Sequence, residues 1–318
     1  MRSFPKILLT LFTLFLNQAN AQYNSYAVKN NNSESDNLFV DIRLLDFDLG
    51  FPVLSLGGGA DADFFLNKKL SFEGSVRFSY FDMKRSLIKG NQDAENINKL
   101  NRFFEMRAGG RFHLSDKEGT KKMKAIVSTQ NTGYSTITNY IPMMVPCRKI
   151  VALHYGVQYY TVAIKGKTGP SIPGQLSVGP SVTATDGTTF SEWNSATNLN
   201  VMMVYGGLSF IKIMKTTMTS GSDSWTFNLF RNSYVDIMFA PNVNVQNVIY
   251  KNTSYNVQGS GSKGFEKNPF GIRYGMSMLS KKKMSVCYEI GWLPGLKNGL
   301  FTRASFGFPI VMSTKKKM

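Results

Sequence analysis

Between Leu54 and Tyr80 the chain sorts its residues by parity. Leu54, Leu56, Gly58, Ala60, Ala62, Phe64 and Leu66 fall on one side, and Ser55, Gly57, Gly59, Asp61, Asp63 and Phe65 on the other. After Asn67-Lys68-Lys69 the pattern restarts, with Leu70, Phe72, Gly74, Val76, Phe78 and Tyr80 against Ser71, Glu73, Ser75, Arg77 and Ser79. A period of two belongs to a strand whose faces meet different surroundings, so the stretch predicts a hairpin. Each arm is as long as the ~9–11 residues with which a tilted strand crosses a bilayer.

The same alternation recurs along the chain. Phe39 to Leu49 slips by one residue between Leu44 and Leu45, the mark of a β-bulge. Phe104, Met106, Ala108, Gly110, Phe112 and Leu114 oppose Glu105, Arg107, Gly109, Arg111 and His113. Further strands are predicted from Val151 to Tyr159, Val235 to Phe239, Phe270 to Met278, Val286 to Trp292 and Leu300 to Ile310. Val201 to Ile213 is also strand-like, but both its faces are partly apolar and its phase is not set. The fold class expected is all-β: a transmembrane antiparallel up-and-down β-barrel of about ten strands, with eight to twelve as the range. An even number puts both termini on one side, with short turns at Asn67-Lys68-Lys69 and 280–284. The long connections 82–101, 166–200 and 242–268 then fall at the other end, where long external loops belong. Residues 115–149 depart from this scheme. They read as a hairpin that is either two extra wall strands or a periplasmic arm, and the absence of a continuous lipid-ready face favours the arm.

Arg2 and Lys6, an apolar run from Ile7 to Leu16, and Ala19-Asn20-Ala21 give 1–21 the layout of a cleavable signal peptide. Residues 22–37 read as a flexible lead-in, 38–312 as the barrel and 313–318 as a basic tail. The mean hydropathy of −0.16 does not argue against a membrane protein, because a barrel hides its apolar band in alternation. The net charge is +17. The basic residues are not interleaved with aromatics along one surface, which argues against nucleic acid as a partner.

The polar face separates a membrane barrel from a soluble sandwich. It carries Asp41, Arg43, Asp46, Asp48, Asp61, Asp63, Glu73, Arg77, Glu105, Arg107, Arg111, Asp236, Arg273, Glu289 and Arg303, and no lysine. Water suits a flexible ammonium, whereas an enclosed lumen favours a planar guanidinium that pairs with two carboxylates. Asp61, Asp63, Glu73, Arg77, Glu105, Arg107, Arg111, Arg273, Glu289 and Arg303 are the candidate structural ion pairs of that lumen. Gly57, Gly59, Gly109, Gly156, Gly271, Gly275, Gly291 and Gly307 share the face and would make room in a narrow barrel. Lysine gathers instead in the turns on the termini side. Lys121, Lys122, Lys124, Arg148, Lys149, Lys281, Lys282 and Lys283 are either headgroup-contacting turn charge or a docking surface for an acidic periplasmic partner.

The Ala21-Gln22 cleavage region, the Gly59-Ala60-Asp61-Ala62-Asp63 strand with its Asn67-Lys68-Lys69 turn, and the aromatic strand Leu300 to Ile310 resemble the small outer-membrane β-barrel proteins of Gram-negative bacteria, of Bacteroidota type. That resemblance implies residence in the outer membrane with lipid around the wall. The chain departs from it after Phe308, where Pro309 and a lysine-rich tail replace the usual terminal aromatic.

Catalytic chemistry has little to stand on. His113 and His154 are the only histidines, and each is expected to be a lumen side chain bonded to a carboxylate. Gly57-Gly58-Gly59 lies inside a strand and leads into no helix, so it is no phosphate cradle. Neither Cys147 nor Cys287 has a second cysteine or a histidine in ligand spacing; the two either pair or remain buried thiols. No catalytic residue, cofactor or metal is expected. The function expected is a non-enzymatic structural or partner-binding component of the cell envelope, with a periplasmic or cell-surface protein as partner; a narrow channel or transporter for a small solute or lipidic ligand is the alternative.

Overall fold

The computed structural model describes residues 27–30, 38–50, 54–82, 99–131, 133, 135–167, 176–177, 182–184, 189–190, 194–220, 223–250, 253–256, 268–280, 284–295 and 299–313. The expected signal peptide, most of the lead-in and the end of the basic tail lie outside them, as do Lys281, Lys282 and Lys283.

Ten long strands form the wall: β1 (Leu38–Gly50), β2 (Leu54–Phe65), β3 (Leu70–Asp82), β4 (Phe104–Asn131), β5 (Thr136–Lys167), β6 (Asn194–Ser220), β7 (Asp223–Val245), β8 (Phe270–Ser280), β9 (Ser285–Trp292) and β10 (Leu300–Ser313). Each pairs antiparallel with its neighbours in sequence, and β10 returns to β1 from Phe301↔Gly50 to Ser313↔Leu38. The result is a closed up-and-down barrel of ten strands. Closure pairs every wall strand on both sides, which is what lets a sheet lie in hydrocarbon. Both ends of the barrel sequence, Leu38 and Ser313, lie at one rim. The bulge in β1 falls where the parity slips, with a register shift between Arg43 and Asp46, and Leu44 and Leu45 both face outward.

Polarity is inverted relative to a soluble protein. Every strand turns large apolar side chains outward, among them Phe47, Phe64, Phe78, Phe112, Leu153, Phe210, Ile237, Ile272, Ile290 and Phe308. The intervening side chains point inward, where Arg77, Arg111 and Arg273 are each 1 % exposed.

β4 and β5 outrun the wall. β3 stops pairing with β4 at Leu70↔Phe112, and β6 stops pairing with β5 at Ile213↔Arg148. Beyond those points β4 and β5 pair only with each other, to Asn131↔Thr136. Within residues 115–149, the stretch 119–147 is therefore a two-stranded ribbon projecting from the termini rim, and not two extra wall strands. β6 and β7 form a shorter extension to Ser220↔Asp223, joined by Ala27–Asn30 along Thr216 to Thr219.

At the opposite rim two of the expected loops are shorter and more structured than the sequence suggests. Residues 194–200 belong to β6 and pair with 161–167 of β5. Val182–Ala184, Thr189–Phe190, Val248–Tyr250 and Thr253–Asn256 make a small separate sheet that ties the β5–β6 and β7–β8 connections together through Tyr255↔Ala184.

Candidate functional site

The lumen is filled in three layers. At the termini rim Phe39, Phe65, Ile150, Ile211, Ile213, Phe230 and Leu279 form a buried apolar stopper. Phe39 stacks on Phe230 with ring centroids 4.5 Å apart, and Phe65 meets Phe39 edge-on at 5.9 Å. At the far rim Tyr160, Val162, Leu199, Val201, Met203 and Phe301 are buried together with Phe103 and Leu293, from the segments next to β4 and β9, as an apolar cap. These segments are laced to the wall: Ser79 N–H donates to Phe103 O at 3.0 Å and Tyr160 Oη to Pro294 O at 2.8 Å. Gly295 makes the second contact possible. Its φ is +118°, and a Cβ there would lie 2.9 Å from the Tyr160 hydroxyl. The stopper and the cap also explain the two-faced apolarity of β6. Its inward Val201 and Met203 belong to one closure, and Ile211 and Ile213 to the other.

Between the closures lies the ion network. Glu289 is fully buried and accepts from Arg77 Nη1 at 3.1 Å, Arg107 Nη1 at 3.1 Å, Arg303 Nη1 at 2.7 Å and the Tyr234 hydroxyl. Arg303 also holds Glu105 bidentately, at 3.2 and 2.9 Å, and reaches Asp48. Arg77 stands 3.6 Å from Asp46 and 4.0 Å from Glu105. Arg111 bridges Asp63, at 2.5 Å, and Glu73, while Arg43 pairs with Asp61. Arg273 donates to Asp236 at 2.7 Å and to Gln158 at 2.9 Å. All ten candidate ion-pair residues thus face the lumen, and each has a partner of opposite charge there. Fork-shaped guanidiniums can satisfy several carboxylates at once, which is how so many charges share a narrow space.

His154 joins two parts of this network. Its Nδ1 lies 2.7 Å from Asp236 Oδ1 and its Nε2 2.7 Å from Glu73 Oε1. Its two ring nitrogens thus bridge the two carboxyl groups. His113 differs from expectation. Its partners are the Ser71 hydroxyl and the Lys68 carbonyl, both at 2.9 Å, and not a carboxylate. The lumen at that level is occupied by the aromatic stopper, with the Phe65 ring 5.8 Å from the imidazole. Ser71 beside it is 0 % exposed.

Alternation did not single out Tyr205 and Tyr234. Tyr205 donates to Glu73 at 2.7 Å, and the Arg273 guanidinium lies over both rings, 5.0 and 5.2 Å from their centroids. The signal that could have found them is glycine. A Cβ at Gly109 or Gly156 would stand 2.2 or 2.4 Å from the Tyr205 hydroxyl, and one at Gly275 would stand 2.2 Å from Tyr234 Cζ. Gly109, Gly156 and Gly275 are the sockets of these rings. A cavity of about 30 Å³ remains between the network and the stopper, lined by Arg43, Asp61, Arg107, Asn232 and Cys287 among others. Cys147 and Cys287 are both free and buried, so no disulfide spans the barrel.

The basic candidates divide. Lys121, Lys122 and Lys149 are exposed. Lys124 lies on β4, in a part of the strand where only the backbone is described. Arg148 is buried and holds Asp116 through two bonds, at 2.8 and 2.6 Å, which removes it from any docking surface.

No family model and no curated protein matches this chain. Among solved structures it is similar to the outer-membrane expressed OmpT of Vibrio cholerae, at 8 % identity, 87 % coverage of this chain, 99 % coverage of the other and a TM-score of 0.18. In-vitro folded OmpT of the same organism gives 10 %, 90 %, 98 % and 0.16. A form of that protein lacking loop L8 gives 11 %, 89 %, 98 % and 0.16. Scores of this size carry no argument, so the assignment rests on register and burial. Those define the class: an outer-membrane-type antiparallel β-barrel of ten strands with buried charge in its lumen.

Proposed function

We propose that the protein is an integral outer-membrane barrel of a Gram-negative envelope, with its termini in the periplasm, serving as a non-catalytic structural or partner-binding component. The observation that carries this reading is a lumen filled by its own side chains. The ion network lies between the aromatic stopper and the far-rim cap, and a solute path would have to displace both. Ten strands enclose a bore that side chains can fill, whereas aqueous channels are the property of wider barrels. With the lumen occupied, the parts free to meet a partner are the projecting ribbon of β4 and β5 and the connections at the far rim.

Planar-bilayer recording on the refolded chain tests the reading. The packed lumen is expected to give no steady single-channel steps across a range of voltages. Regular openings of one size, sustained without voltage-induced breakdown, would overturn it.

A further inference from the structure

Below the apolar belt at the termini rim, the register brings four cations from distant parts of the sequence into one row. Lys117 of β4 is the cross-strand partner of Lys149 of β5, which is the partner of Lys212 of β6, which is the partner of Arg231 of β7. At ~4.8 Å per strand the row is roughly 15 Å wide. Its members point outward. They share the face of Leu114, Val151, Phe210 and Val235, and on each strand the row residue is the first charged outward position past the belt. Lys121 extends the patch, lying with Lys149 and Arg231 in the electrostatic surroundings of Lys212.

Like charges directly opposite one another destabilise a sheet. Among the described residues, none of Lys117, Lys121, Lys149, Lys212 and Arg231 makes an ion pair. Asp116 is taken by Arg148, and Glu118 is the register partner of Arg148 on the other face. The Lys149 ammonium turns away from the belt, to 3.7 Å from where a Gly119 Cβ would stand, as a cation does when its stem lies along apolar surface and its head seeks the polar side.

We infer that this row is a binding site for the phosphate groups of anionic phospholipids in the leaflet around the termini rim. A row facing sideways at the edge of an apolar belt meets headgroups in the plane of the membrane, whereas a soluble acidic protein would approach from below. The inference rests on the barrel lying in a bilayer with the apolar belt outward.

Native mass spectrometry of the full chain, released from mild detergent with equal phosphatidylglycerol and phosphatidylcholine of matched acyl chains, tests it. The unaltered chain is expected to retain phosphatidylglycerol preferentially. The double substitution Lys149→Gln with Lys212→Gln should lower that preference roughly fivefold per cation removed, and adding Lys117→Gln and Arg231→Gln should abolish it. Lys68→Gln with Lys69→Gln, in the β2–β3 turn, should leave it unchanged. Heat-dependent gel migration reports folding separately, and the double variant keeps the test if the quadruple one does not fold. Equal retention of both lipids by the unaltered chain, undiminished preference in the variants, or binding of a soluble polyglutamate peptide that displaces phosphatidylglycerol would each overturn the site. Failure of the unaltered chain to insert into vesicles would instead overturn the membrane reading beneath it.

Discussion

Glu289 shows what holds a carboxylate away from water in this barrel. Two oxygens receive three guanidiniums and a phenol, so the charge is both balanced and hydrogen-bonded, the condition under which burial is tolerated. Removing it leaves Arg77, Arg107 and Arg303 crowded and short of counter-charge. Glu289→Ala is therefore expected to lower unfolding stability in lipid vesicles by about 3–5 kcal/mol, whereas Tyr234→Phe, which removes one donor from the same carboxylate, should cost about 1–2 kcal/mol. Urea titration followed by tryptophan fluorescence measures both; small, equal losses would mean that water reaches the site. At this scale parity in the sequence placed the acids and arginines on the inward face, because a strand's faces alternate without exception between bulges. It did not give the partners. Glu289 meets Arg77 across the barrel, 212 residues away in sequence, and that meeting depends on closure. Tyr205 and Tyr234 escaped for another reason: tyrosine is at home on a lipid-facing rim as well as in a lumen, and only the glycine sockets opposite distinguish the two.

Among the elements, the ribbon of β4 and β5 is separable from the wall. The contacts that hold these strands in the barrel run from Phe104 to Phe112 against β3 and from Arg148 to Lys167 against β6, and residues 119–147 make no part of them. Replacing 120–146 by a two-residue Asn-Gly turn, which favours a tight hairpin, is expected to leave folding intact. Heat-modifiable migration on gels after refolding into vesicles checks this, and a chain that no longer folds would show that the ribbon nucleates the wall. The ribbon was legible as a hairpin, since Lys122 to Ser128 and Tyr134 to Val145 are strand-like runs on either side of Gln130-Asn131-Thr132-Gly133. Its continuity with β4 and β5 was not, because the bulge between His113 and Ser115 resets the parity at the rim. The four-cation row was hidden for a related reason. Lys117, Lys149, Lys212 and Arg231 become neighbours only through three separate strand registers, and none of these is written in local sequence.

At the scale of the whole molecule, what distinguishes this barrel is which way each face looks and what it touches. A soluble sandwich, a water-filled pore and a packed barrel can share the same alternating sequence. They differ in whether the apolar rows meet hydrocarbon and whether the charged rows meet solvent. Spin labels placed one at a time along β3, from Leu70 to Tyr80, read both questions in one series. In vesicles, labels at Leu70, Phe72, Val76, Phe78 and Tyr80 are expected to collide freely with oxygen dissolved in the lipid. Labels at Ser71, Ser75 and Ser79 are expected to collide with neither oxygen nor a water-soluble nickel complex. Strong nickel collisions at Ser75 would mean an aqueous lumen, and nickel collisions at Phe72 and Val76 would mean that the apolar face was never in the membrane; either would contradict the account.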